Sequence, residues 1–162
     1  MAHRLSTLLL LLVTLSAHGQ QQETLKSAES WYTTEYAPLY AEEPWEHVEE
    51  LARHFTDAVQ VHDAALENID SFEWISAALE EWRISGWTHS EIAGITTRYL
   101  NPSTVYFITR WRDHYADGSV AFECGWYLVD RVGESWKISG YASMTCTEQA
   151  PADDRTAGQR AE

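Results

Sequence analysis

Thr104-Val105-Tyr106-Phe107-Ile108-Thr109-Arg110-Trp111 and Val120-Ala121-Phe122-Glu123-Cys124-Gly125-Trp126-Tyr127-Leu128-Val129 stand on either side of Asp117-Gly118. β-Branched and aromatic residues fill both runs, and Asp-Gly suits the positive φ angles of a two-residue hairpin turn, so the stretch predicts an antiparallel pair. The pattern extends outward to four strands, Thr88–Leu100, Ser103–Tyr115, Ser119–Arg131 and Ser135–Thr145. Asn101-Pro102, Asp117-Gly118 and Val132-Gly133-Glu134 separate them. In the last strand Trp136, Ile138, Gly140, Ala142 and Met144 share a face; in the third, Val120, Phe122, Cys124, Trp126 and Leu128 do. Tyr127 and Val129 make the opposite face of the third strand partly apolar, so both sides are expected to be covered.

Upstream the periodicity is helical. Residues from about Glu23 to Phe55 read as two helices interrupted by Pro38 and Pro44, the second with Val48, Leu51, Ala52 and Phe55 on one face. A short extended piece, Ala58–Asp63, precedes a third helix capped by Asp70 or Ser71 and ended by Ser85-Gly86. Phe72, Ile75, Leu79 and Trp82 share its apolar face.

Arg4, the unbroken apolar run Leu8–Val13 and the small residues of Ala17-His18-Gly19 predict a secretory signal peptide over residues 1–19 and a secreted or periplasmic location. The run is too short for a membrane span of about 20 residues. Residues 20–29 are expected to be a flexible mature N-terminus, 30–146 the single domain, and 147–162 a disordered polar tail. The leader removes one of 11 basic residues and none of the 25 acids, leaving a net charge of about −15. Such a surface repels phosphate backbones and anionic lipids, so nucleic-acid partners and membrane binding after cleavage are not expected. An oxidising compartment permits a Cys124–Cys146 disulfide, but the expected register puts Cys124 nearer Ser143, and the pairing stays open.

The order of helices and strands resembles the nuclear transport factor 2-like superfamily, especially its SnoaL-like, ketosteroid-isomerase-like branch. Phe55–Asp63, Trp111 before Asp117-Gly118, and Tyr127–Arg131 followed by Glu134–Ile138 carry the likeness, which covers about Ser30 to Thr145. It implies an α+β, cone-shaped (cystatin-like) fold, N-terminal helices packed on a curved antiparallel sheet around one pocket. The superfamily mixes enzymes with binding and assembly modules, so the fold alone fixes no activity. Asp63 falls where the resemblance to ketosteroid isomerases implies a proton-abstracting aspartate. Tyr36 or Tyr40 would polarise the substrate. The alternative for Asp63 is a turn residue ahead of the third helix. A second acid, which the resemblance implies near Trp126 to Leu128, is missing.

Eight Trp and eight Tyr supply either core or pocket. Trp82, Trp111, Trp126, Tyr141 and His62 are candidates for lining a site that takes a small apolar or aromatic molecule. The resemblance also extends to epoxide hydrolases, which imply an Asp-Arg-Asp group that Asp63, Arg98 or Arg110, and Asp113 could supply. It extends to dehydratases too, which imply histidines with tyrosines, for which His62, His89, His114, Tyr36 and Tyr40 are available. His47 and His54 lie seven apart with Glu50 between, but no metal motif, phosphate loop or nucleophile elbow is present, so neither metal nor cofactor is expected. A homodimer through the outer sheet face is expected, with Tyr106, Ile108, Tyr127 and Val129 as its patch. The preferred reading is a binding or assembly module; the alternative is an isomerase, cyclase or lyase using Asp63.

Overall fold

The computed structural model describes residues 18–62 and 66–146. Residues 1–17, within the expected leader, residues 63–65, which include Asp63, and residues 147–162 lie outside the described residues. Residues 18–31 form α1. Residues 20–29 are thus helical rather than flexible, because Thr24 and Ala28 are buried and Leu25 packs on the core. Thr33 and Thr34 hydroxyls donate back to the carbonyls of Glu29 and Ser30. Pro38 removes a backbone donor, and the chain widens to a π-helical turn over Tyr32–Tyr36, then tightens to a 3-10 turn over Ala37–Tyr40. Among the described residues no helix is long and apolar enough to cross a membrane.

A further 3-10 turn, Pro44–Glu46, leads into α2, Val48–Arg53. The apolar periodicity predicts a helix reaching Phe55. It stops earlier because Phe55 opens β1, Phe55–His62, and is buried there. β2, Leu66–Asp70, pairs antiparallel with β1 and is absent from the sequence expectation. Its Glu67, Asn68 and Asp70 are poor strand formers, tolerated at a sheet edge. Asp70 also caps α3, Ser71–Ile84, accepting a 3.0 Å hydrogen bond from Glu73 N–H. Ile75 and Leu79 face the core, whereas Phe72 stays 48% exposed beside α2. Trp74 takes its place inside, against Phe55 and Tyr141.

β3 (Trp87–Asn101), β4 (Thr104–Tyr115), β5 (Val120–Val132) and β6 (Ser135–Met144) form the expected meander. The β4–β5 loop has three residues, 116–118, rather than two: Tyr115 and Ser119 still pair, and Gly118 takes φ 82°. The six-stranded sheet runs β2-β1-β6-β5-β4-β3. It is not wholly antiparallel, because β1 and β6 pair in parallel. The chain leaves β1 and returns to its free edge only after the rest of the sheet is built.

Side chains of β4 alternate, with Val105, Phe107, Thr109, Trp111 and Asp113 inward. On β5 the phase is opposite to expectation. Tyr127 and Val129 are buried in the core, and Trp126 and Leu128 lie on the outer face, near the point where a Cβ on Gly140 would stand. Both faces of this strand are apolar, so hydrophobicity alone could not set the phase. On β6 a bulge at Ser139, between the Val129–Ile138 and Leu128–Gly140 pairs, reverses the alternation. Trp136, Ile138 and then Tyr141 point inward, not Ala142 or Met144. Cys124 is paired with Met144 by register, and Cys146 bonds to it with Cα atoms 5.2 Å apart.

Candidate functional site

Tyr32, Tyr36, Phe107 and Tyr127 fill the centre between α1 and the sheet; Tyr32 and Phe107 rings lie 4.6 Å apart. Packing thins toward the open ends of β3, β4 and β5. There a partly open cavity of about 60 Å³ remains under the C-terminal half of α3. Trp82 from α3, Trp87 and Ser90 from β3, and Trp111 and Asp113 from β4 wall much of it. Glu123, Gly125 and Tyr127 of β5 and Tyr141 of β6 close another side, and Tyr40 reaches in from the 3-10 turn.

Strand alternation explains the gathering. Trp111, Asp113 and Tyr115 are spaced by two on β4, and Glu123, Gly125 and Tyr127 by two on β5. Glu123 pairs across from Trp111. Gly125 is required by a close approach: a Cβ there would stand 2.7 Å from Tyr127 Cε2. Its absence leaves room for both ring and hollow.

Polar groups are few and ordered. Trp87 Nε1 donates to Ser90 Oγ at 2.8 Å, and Ser90 Oγ donates to Asp113 Oδ1 at 2.5 Å. Asp113 is buried, and lost hydration raises its carboxyl above the usual range, against the opposing pull of Ser90, Trp87 and His114. Glu123 is exposed at the rim; desolvation first, then repulsion from Asp113, raises its carboxyl too. Tyr40 is buried, shares a 2.9 Å hydrogen bond with Tyr36 Oη, and its hydroxyl is pushed up to about 12 by burial. Tyr127 Oη accepts from Trp111 Nε1 at 3.0 Å, and burial raises its hydroxyl well above the ordinary value. Both phenols are therefore neutral donors at physiological pH.

A raised carboxyl has a signature in stability. An unfolded Asp113 ionises at its ordinary value and the folded one at a higher value. Folding is unpenalised below the unfolded value, and stability is lost as pH rises through the folded one. Asp113→Asn is therefore expected to match or exceed the parent in urea midpoint at pH 8, with any advantage vanishing below about pH 4. A variant clearly weaker at pH 8 than at low pH would contradict the burial penalty.

Of the residues singled out from sequence, Tyr40, Trp82, Trp111, Asp113 and Tyr141 meet at the cavity. Tyr36 lies beneath it, joined through Tyr40. Trp126 does not belong: it lies on the outer face with its ring 6.0 Å from Tyr106. His62 is exposed at the end of β1, and Asp63 lies outside the described residues. Arg98 pairs with Tyr106, and Arg110 lies 4.1 Å over Phe122, both on the outer face, so neither joins Asp113. His89 and His114 stack on each other there at 4.3 Å. His47 lies 3.8 Å from Glu50, while His54 packs against Trp31 and Tyr36. No cluster of three metal-ligating side chains occurs among the described residues. Ser90, Trp87, Tyr115, Glu123 and Gly125 are site residues that the sequence reading does not reach. The spacing by two from Trp111 and Asp113 would have found Tyr115, and an acid and a glycine interrupting the inner face of β5 mark the hollow.

No family model matches the sequence, and no curated protein matches it. Solved structures do match. One is a domain with a cystatin-like fold from Nostoc punctiforme, at 15% identity and TM-score 0.55, covering 77% of this chain and 80% of that one. Another is a nuclear transport factor 2-like protein from Anabaena variabilis, at 14% identity and TM-score 0.50, covering 81% and 92%. At such identities the likeness gives the fold alone.

Proposed function

We propose that this chain, which has the nuclear transport factor 2-like fold, is an exported protein that binds a small molecule in the hollow under α3. The observation that carries this reading is the cavity of about 60 Å³ walled by indole and phenol rings around a few converging polar groups. Such a composition is typical of ligand sites, and the rings suit a small apolar or aromatic body. The N-terminal apolar run supports export, and the Cys124–Cys146 bridge is in keeping with an oxidising compartment.

The test is a panel of small aromatic and apolar compounds followed by tryptophan fluorescence, since Trp82, Trp87 and Trp111 all line the hollow. Trp82 is half-buried at the wall. Trp82→Ala is expected to weaken a hit about tenfold while the far-UV spectrum is unchanged. No spectral response to any compound would sink the binding reading.

One observation favours acid–base chemistry as a second reading: a buried carboxyl of raised pKa, held by Ser90, faces the cavity. In this reading Asp113 exchanges the proton and Tyr40 donates to the substrate oxygen, in an isomerase, cyclase or lyase reaction. Asp63, the base expected from the resemblance, has no described geometry to support it. For assembly, a second copy of the chain is the proposed cover for the outer strip of Tyr106, Ile108, Trp126 and Leu128. Tyr127 and Val129 are withdrawn from that patch by burial. Sedimentation showing only monomer at high concentration would remove the dimer.

A further inference from the structure

The hollow is anionic as well as aromatic. Asp113 is 5% exposed in its wall and Glu123 stands at its rim, while no Lys, Arg or His occurs among its described lining residues. The arginines of β4 lie on the other side of the sheet: Arg110 covers Phe122 and Arg112 bonds to Glu91 at 2.8 Å. Asp113 is buried, and Glu123 at the rim has its carboxyl raised by partial desolvation and by the nearby Asp113. Two acidic side chains therefore meet at one small space whose described lining carries no cationic side chain.

Each class of occupant meets this differently. A neutral apolar molecule would strip remaining water from the carboxyls and return no hydrogen bond. An anion would add a third like charge. An ammonium group offers N–H donors and positive charge to both carboxyls, and charge-assisted bonds are the strong ones. Ring faces carry negative potential, so indoles around the acids favour a cation as well. The chain's formal charge of −14 raises the local concentration of cations near the mouth.

We propose that the ligand is a small organic ammonium ion, its nitrogen between Asp113 and Glu123 and its apolar substituent against Trp82 and Trp111. This rests on the pocket reading above and narrows it to one class. The nitrogen supplies the missing positive charge, and Ser90 holds the Asp113 carboxyl oriented from behind.

Benzylamine, benzyl alcohol and benzoate share a ring and differ in charge. Their binding is measured by calorimetry and tryptophan fluorescence on the intact protein at pH 8. Benzylamine is expected to bind at least about tenfold more tightly than benzyl alcohol, with benzoate weakest, and its advantage should shrink as salt is raised. Glu123→Gln, at the exposed rim, and Asp113→Asn, isosteric within its hydrogen bond, should each erase most of that advantage. A parent-like far-UV spectrum, and a urea midpoint at pH 8 no lower than the parent's, show that each variant is folded. Equal affinity for amine and alcohol in the parent overturns the ammonium assignment and leaves the pocket standing. A preference that survives in both variants overturns it too. Silence from all three compounds removes the pocket along with its ligand.

Discussion

Tyr32→Ala is expected to cost about 3–5 kcal/mol of folding stability, the range for deleting a large buried aromatic ring. Tyr32 is 0% exposed and touches five other rings: Trp31, Tyr36, Phe107, Trp111 and Tyr127. Those neighbours are themselves pinned by α1, β4 and β5, so they cannot collapse into the space left. Small domains are stable by about 5–15 kcal/mol, so this loss removes much of the total. Urea denaturation reads it directly. Tyr32→Phe separates ring from hydroxyl: Thr109 Oγ1, fully buried, donates to Tyr32 Oη at 3.1 Å and would lose its acceptor. That variant should lose about 1–3 kcal/mol. An alanine variant within about 1 kcal/mol of the parent would mean that the aromatic centre is looser than its contacts imply.

Replacing both Cys124 and Cys146 by serine is the second large effect, at about 3 kcal/mol. The bridge spans 22 residues of chain and closes the β5–β6 hairpin. Removing it frees that loop in the unfolded chain, which is where most of the stabilisation arises in the chain-entropy account. Urea midpoints of the parent with and without reductant should differ by the same amount as parent and double variant. Coincident midpoints in all three would show that the bridge contributes nothing.

The meander was legible because its punctuation is chemical. Gly118 and Gly133 take φ 82° and 64°, which other residues rarely adopt, and Asp117 Oδ1 accepts from Ser119 N–H. Asp70 as helix cap was legible for the same reason. β2 was not, because a five-residue edge strand of polar residues is held by pairing with β1 rather than by propensity. The bulge at Ser139 was also silent, since only the facing strand reveals an unpaired residue. The site was half readable. Trp111, Trp82, Tyr40 and Tyr141 stood out as aromatics, but Glu123 and Ser90 became meaningful only when register put them beside Asp113. Trp126 was misplaced because a strand apolar on both faces gives no phase.

The parallel contact between β1 and β6 joins residues about 80 positions apart, Gln60 to Gly140 and Val61 to Tyr141. A growing chain that has reached α3 therefore carries a strand with one edge unsatisfied, and nothing made so far can satisfy it. Contacts of such long range slow folding and favour acquiring structure only after synthesis of the final strand. Completion of the sheet therefore waits for the last strand, and the full tertiary structure is expected late in synthesis.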